Sequence, residues 1–113
     1  MKIKVIFHID ENEKWKLLIS NVRNLYKGIQ NQEYEIEVLA NSVAVEMFKV
    51  SNSVYKNDFG ELNKLGVRIC ACNNSLIGMN IQKTELMEFI NVVPIGVKEL
   101  IEKQLNGFAY IKP

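Results

Sequence analysis

Gly66-Val67-Arg68-Ile69-Cys70-Ala71-Cys72-Asn73-Asn74-Ser75 carries the signals that decide the fold. Phe59, Leu62 and Leu65 lie before it at helical spacing, and Gly66 stops that helix, being the residue that most easily takes a left-handed conformation there. Val67 to Cys72 is an apolar run of strand length, and Asn73 to Gly78 reads as a helical turn that starts at once. A strand with helices on both sides is not joined to its neighbours by tight hairpins, so it pairs in parallel.

The same alternation extends in both directions. Ile3 to His8 is a β-branched and aromatic run that reads as a strand buried on both faces. From Asn12 to Ile29, Trp15, Leu18, Val22, Leu25, Tyr26 and Ile29 recur at spacings of a long amphipathic helix, with Asp10 or Asn12 available as its N-cap. Tyr34 to Ala40 alternates acidic with apolar residues before turning apolar, which makes a second strand, and a short helix follows over Val43 to Lys49. Ser51 to Lys56 is polar and turn-like, and Thr84 is placed to cap another short helix. Ile90 to Val93 is a fourth strand, Pro94 leads into a helix through Val97, Leu100, Ile101 and Leu105 that Gly107 closes, and Phe108 to Ile111 is the last strand. The expected architecture is an α/β domain over residues 1–113, a five-stranded parallel sheet with helices on both faces.

The 113 residues are 48% hydrophobic and 24% charged, the composition of an ordinary globular domain with enough chain for a core without disulfides or structural metal. A net charge of +1, with both signs spread along the chain, gives no electrostatic footprint for nucleic acid. No apolar run approaches a membrane span, and Met1 to Val5 alternates Lys with apolar residues rather than building a signal peptide, so no membrane partner and a cytoplasmic location are expected. Cys70 and Cys72, two apart, are no disulfide framework and fit a reducing compartment.

Ligands of open α/β sheets bind beyond the carboxyl ends of the strands. The first three strands end at His8, Asn41 and Cys72, one βα unit apart, so these side chains are expected at one edge. A helical turn starting at Asn73 or Asn74 would place free amides and a positive dipole end at the Cys72 sulfur and favour its thiolate. His8 would add a proton acceptor or a positive charge, and Asn41, Asn73 and Asn74 a polar cradle for a small anion or a sulfur-bearing group. The plainer alternatives are a buried Cys72, a structural His8 and asparagines that tie loops together. Cys70, inside the strand, reads as core. One C-x-C pair and one histidine do not make a zinc site, and no phosphate-binding glycine loop or G-x-S-x-G is present, so neither a metal nor a cofactor is expected.

Several stretches together resemble the DsrE/DsrF-like family, in particular its small stand-alone branch. They are Phe7-His8-Ile9-Asp10-Glu11 with Trp15, Asn21-Val22-Arg23-Asn24-Leu25, Glu37-Val38-Leu39-Ala40-Asn41, Ala71-Cys72-Asn73-Asn74-Ser75-Leu76, Val93-Pro94-Ile95-Gly96-Val97 and the ending Gly107-Phe108-Ala109-Tyr110-Ile111-Lys112-Pro113. The resemblance implies a three-layer α/β/α sandwich that forms homo-oligomers, commonly trimers or hexamers. It also implies sulfur relay, in which a cysteine at the exit of the third strand takes up sulfur as a persulfide from a donor protein and passes it to an acceptor. Cys72 occupies that place, with His8, Asn41 and Asn73 as pocket residues. The branch often has Ser or another small residue after Pro94, where this chain has Ile95, which argues against a polar contact from that loop. The function read from sequence is therefore a persulfide carrier working through Cys72. The alternative is a non-catalytic homo-oligomeric module that binds a small ligand or regulatory partner, and a redox sensor would need a resolving thiol from another molecule.

Overall fold

The computed structural model describes residues 1–52 and 54–113. Ser53, inside the polar turn expected over Ser51 to Lys56, lies outside the described residues. The strands are β1 (Ile3–Ile9), β2 (Tyr34–Ala40), β3 (Arg68–Cys72), β4 (Asn91–Val93) and β5 (Ala109–Ile111). They form one sheet in the order β4-β3-β2-β1-β5, with every neighbouring pair parallel. β1 and β2 pair along their whole lengths, from Ile3 opposite Tyr34 to Ile9 opposite Ala40, and β5 returns to the free edge of β1. The helices are α1 (Trp15–Gly28), α2 (Lys56–Lys64), α3 (Asn73–Gly78) and α4 (Gly96–Leu105), with 3-10 turns at Asn12–Lys14, Ser42–Phe48 and Lys83–Glu85. This is the α/β fold expected from the alternation of elements. Among the described residues, no helix is long and apolar enough to cross a membrane.

The two faces of the sheet are filled differently. Strand alternation turns Phe7, Ile9, Val38, Ile69 and Ala71 to one face, where they pack with Trp15, Leu18 and Val22 of α1, Phe48, and Phe59 and Leu62 of α2. The Trp15 ring meets Phe59 edge-on at 4.9 Å and Phe48 at 5.3 Å, and its Nε1 donates to the Ala44 carbonyl at 3.2 Å. These offset aromatic geometries add to the area they bury. The apolar cluster on the other face is smaller: Ile6, Leu39, Cys70 and Val93, closed by Leu100 of α4 and by Phe108.

Local details differ from the sequence expectation where tertiary contacts compete. Neither Asp10 nor Asn12 caps the first helix: Asp10 pairs with Lys112 at 3.2 Å, and Asn12 Nδ2 donates to Glu46 at 2.7 Å. The turn at Lys83–Glu85 is capped by Gln82, in a reciprocal box with Glu85, rather than by Thr84. The acidic positions of β2 do not share one environment. Glu35 pairs with Lys2 near solvent, whereas Glu37 is 2% exposed under α4.

Truncating Phe59→Ala removes the ring at the centre of the aromatic cluster and should cost about 3–5 kcal/mol. Urea unfolding checks this, and a loss below about 1 kcal/mol would show that the cluster is not the main core.

Candidate functional site

Parallel pairing sends every strand out at the same edge. Cys72 is both the last residue of β3 and the N-cap of α3, and it is 5% exposed. The loop from β4 brings α4 in above it, so that Gly96, the first residue of that helix, donates its N–H to Cys72 Sγ at 3.2 Å. A Cβ on Gly96 would lie 3.0 Å from Cys72 Cβ and 3.2 Å from Sγ. A side chain here would press on Cys72, and one of the two elements would have to give by a few tenths of an ångström. The sulfur thus sits between the amino ends of α3 and α4, where helix amides and dipoles favour negative charge.

Burial pushes the Cys72 thiol up. The Ser75 hydroxyl and the backbone N–H groups of Ser75, Gly96 and Asn74 outweigh that and hold it below the ordinary thiol range. The Cys72 side chain makes no cap hydrogen bond to α3, and the Ser75 and Asn74 groups of that helix lie near enough to favour its anion. Ser75 is polarised to donate to that anion. Its Oγ accepts the Ser42 N–H at 2.7 Å, which leaves its own hydrogen free to point toward sulfur. Ser42 reaches that position with φ of 54°, a left-handed conformation that costs a non-glycine residue about 1–2 kcal/mol. Cys70, by contrast, is fully buried, and desolvation followed by the Glu37 charge pushes its thiol up to about 12.

His8 and Asn41 meet directly, with His8 Nε2 and Asn41 Oδ1 3.0 Å apart. An amide oxygen can only accept, so Nε2 carries the proton, and in the neutral ring Nδ1 accepts from the Tyr110 hydroxyl at 2.7 Å. Both imidazole nitrogens are therefore occupied, neither of them by Cys72. The link to sulfur runs through the backbone: Asn41 precedes Ser42, and Ser42 holds Ser75. Asn74 lies at the site through its N–H while its side chain is exposed, and Asn73 lines a surface hollow with Ile77, Gln82 and Thr84. Ser75, Gly96 and Tyr110 are the parts that sequence reasoning did not assign. Ser75 was legible as the third residue after a helix N-cap and Gly96 as a glycine at a helix start, but Tyr110 has no local signal. The Ile95 side chain does not matter to the sulfur contact, which comes from the next backbone amide.

A parallel α/β sheet with a strand-exit cysteine held between two helix amino ends defines the class of protein. The model of the DsrE/DsrF-like family matches residues 2–113, and the chain belongs to that family. Among solved structures it is similar to MTH1491 from Methanobacterium thermoautotrophicum, a protein of unknown function, with 40% identity over 98% of this chain and 99% of that one, at a TM-score of 0.90. It shares its fold with the ychN protein of E. coli, at a TM-score of 0.79 and 15% identity over the full length of both chains. No curated protein matches the chain.

Gly96→Ala should force Cys72 and α4 apart and weaken one donor to the thiolate. The alkylation profile of Cys72 against pH then moves upward, with about tenfold less thiolate near neutral pH. An unchanged profile would show that the Gly96 N–H does not hold the anion.

Proposed function

We propose that this protein is a sulfur carrier in which Cys72 holds sulfur as a persulfide between a donor and an acceptor protein. The observation that carries the reading is the set of N–H and O–H donors around Cys72 Sγ, which lowers the thiol below its ordinary range although the residue is buried. Membership of the DsrE/DsrF-like family supports it. In the transfer step the Cys72 thiolate attacks the outer sulfur of a donor persulfide, the donor's S–S bond breaks, and the donor leaves as its thiolate. No net oxidation occurs; the proton of the donor's S–SH group passes to the released donor thiolate, whose thiol is the weaker acid, so that the negative charge ends on the new terminal sulfur of Cys72. The N–H groups of Asn74, Ser75 and Gly96 and the Ser75 hydroxyl are suited to both anions, before and after transfer. His8 and Asn41, tied to Tyr110, act as the frame that fixes the Ser42 turn rather than as an acid or base at sulfur. With Cys72 only 5% exposed, a protein that fits this edge exchanges sulfur faster than a free thiol does.

The working form is a homo-oligomer, a trimer or hexamer, in the reducing cytoplasm, where both cysteines stay free. Val97, Ile101 and Leu105 form an exposed apolar stripe at helical spacing on α4, and Tyr110 and Ile111 are exposed on the neighbouring edge strand β5. Exposed apolar side chains of this number support self-association. Light scattering after gel filtration measures it, and a monomer at micromolar concentration would refute it.

Intact-mass analysis after exposure to a sulfane-sulfur donor tests the carrier. The parent and Cys70→Ser should each gain one sulfur that a reductant removes, whereas Cys72→Ser should gain none while keeping its far-ultraviolet circular dichroism. Equal loading of Cys72→Ser would overturn the assignment. No loading of the parent, with slow alkylation of Cys72, would favour a ligand-binding module instead.

A further inference from the structure

Below the sulfur site, the thin face of the sheet buries a second polar cluster. Oε1 of Glu37 is held by Arg68 Nε at 3.3 Å and Lys103 Nζ at 3.5 Å. Its other oxygen, Oε2, is buried without a hydrogen-bond partner among the described residues, and so is Oε2 of Glu99 on α4. One oxygen from each carboxyl group and the Cys70 sulfur lie within 4.8 Å of one another. A buried and a half-buried carboxylate at this range repel, and each orphaned oxygen carries a desolvation cost. A single proton between them removes both penalties by making one strong O–H···O⁻ hydrogen bond.

We propose that Glu37 and Glu99 share one proton, and that this bond latches the first turn of α4 to the sheet and so holds the Gly96 N–H against Cys72. The two residues are positioning residues for the sulfur site, a role that rests on the carrier reading above. Glu99 lies three residues after Gly96, so both face the sheet from the same turn, one over Cys70 and Glu37 and the other over Cys72. Burial first, and then the hydrogen bond and charge of Glu99, raise Glu37 from 4.5 to about 7, against the opposing pull of Lys103 and Arg68.

A divalent cation is the competing occupant. Arg68 and Lys103 already set two positive charges on the Glu37 carboxylate, and Cys70, raised to about 12, remains a neutral thiol. Both facts favour a proton over a dication. The charged groups facing the cluster come from every element around it. They are Arg68 and the Cys70 thiol from β3, Glu35 from β2, Lys103 from α4 and, across the Phe108 ring, Lys4 from β1.

Because the folded pKa lies above the unfolded value, the latch contributes fully below about pH 4.5 and is lost as pH rises to about 7, then stays flat. Glu99→Gln supplies a permanent N–H donor to Glu37, and Glu99→Ala supplies none. Melting temperature is measured for parent and both variants between about pH 5 and 8, alongside the alkylation rate of Cys72. Glu99→Gln should match the parent at the acid end and exceed it by about 5 °C at the alkaline end. Glu99→Ala should shift Cys72 alkylation to higher pH, with Glu99→Gln restoring the parent's low-pH profile. Identical pH dependence of melting in the parent and Glu99→Gln would overturn the shared proton. So would a melting increase on adding zinc ion that Cys70→Ser abolishes. A Cys72 profile common to all three proteins would overturn the positioning role. If Cys72 of the parent alkylates as an ordinary thiol at every pH, the carrier reading fails, while the melting data still decide the latch.

Discussion

A parallel sheet delivers the carboxyl ends of all its strands, and the amino ends of the helices that follow, to one edge. In this protein β3 passes into α3 without a linker, and β4 reaches α4 through only Pro94 and Ile95. Two helix amino ends are therefore brought onto one sulfur. The close contact of Gly96 with Cys72 is the point on which this depends, because any side chain at Gly96 would meet the Cys72 side chain. Parallel pairing, short βα connections and one glycine together replace water around the Cys72 sulfur with fixed donors.

The two faces of the sheet divide the work of stability and chemistry. One carries the aromatic and aliphatic core of α1, α2 and Phe48, and it accounts for most of the buried apolar side chains. The other, under α4, buries six apolar residues and also holds His8, Glu37 and Cys72. Polar groups on that face are tolerated because almost every one is partnered: His8 by Asn41 and Tyr110, Glu37 by Arg68 and Lys103, and Cys72 by Gly96. Glu37 and Glu99 each keep one unpartnered oxygen, and the proton we assign to the pair couples their relief to the seating of the same helix that supports the sulfur.

The order of elements was legible in the chain because each signal is local. The helical spacing of Trp15, Leu18 and Val22, the glycine stop at Gly66 and the apolar run to Cys72 depend on nearby residues only. Boundaries moved by a residue or so, as with β1 ending at Ile9 rather than His8. The caps assigned to Asp10, Asn12 and Thr84 failed for a physical reason: polar side chains choose the best partner in space, and Lys112, Glu46 and the Gln82–Glu85 box offered better ones. Glu37 was hidden in the same way. Acidic-apolar alternation marks a strand, and only the packing of α4 decides which acid is left without water.

Sequence by itself determined the parallel α/β fold and the placing of a cysteine at a strand end before a helical turn, since periodicity and turn chemistry encode where each side chain faces. Tertiary structure decided what that cysteine meets. The Gly96 amide is 24 residues away from Cys72, and the Tyr110 hydroxyl that fixes His8 is 102 residues from it. Those meetings follow from strand order and the seating of α4, which bring remote backbone atoms within hydrogen-bond distance. No local pattern records such distances, because they come from how whole elements pack.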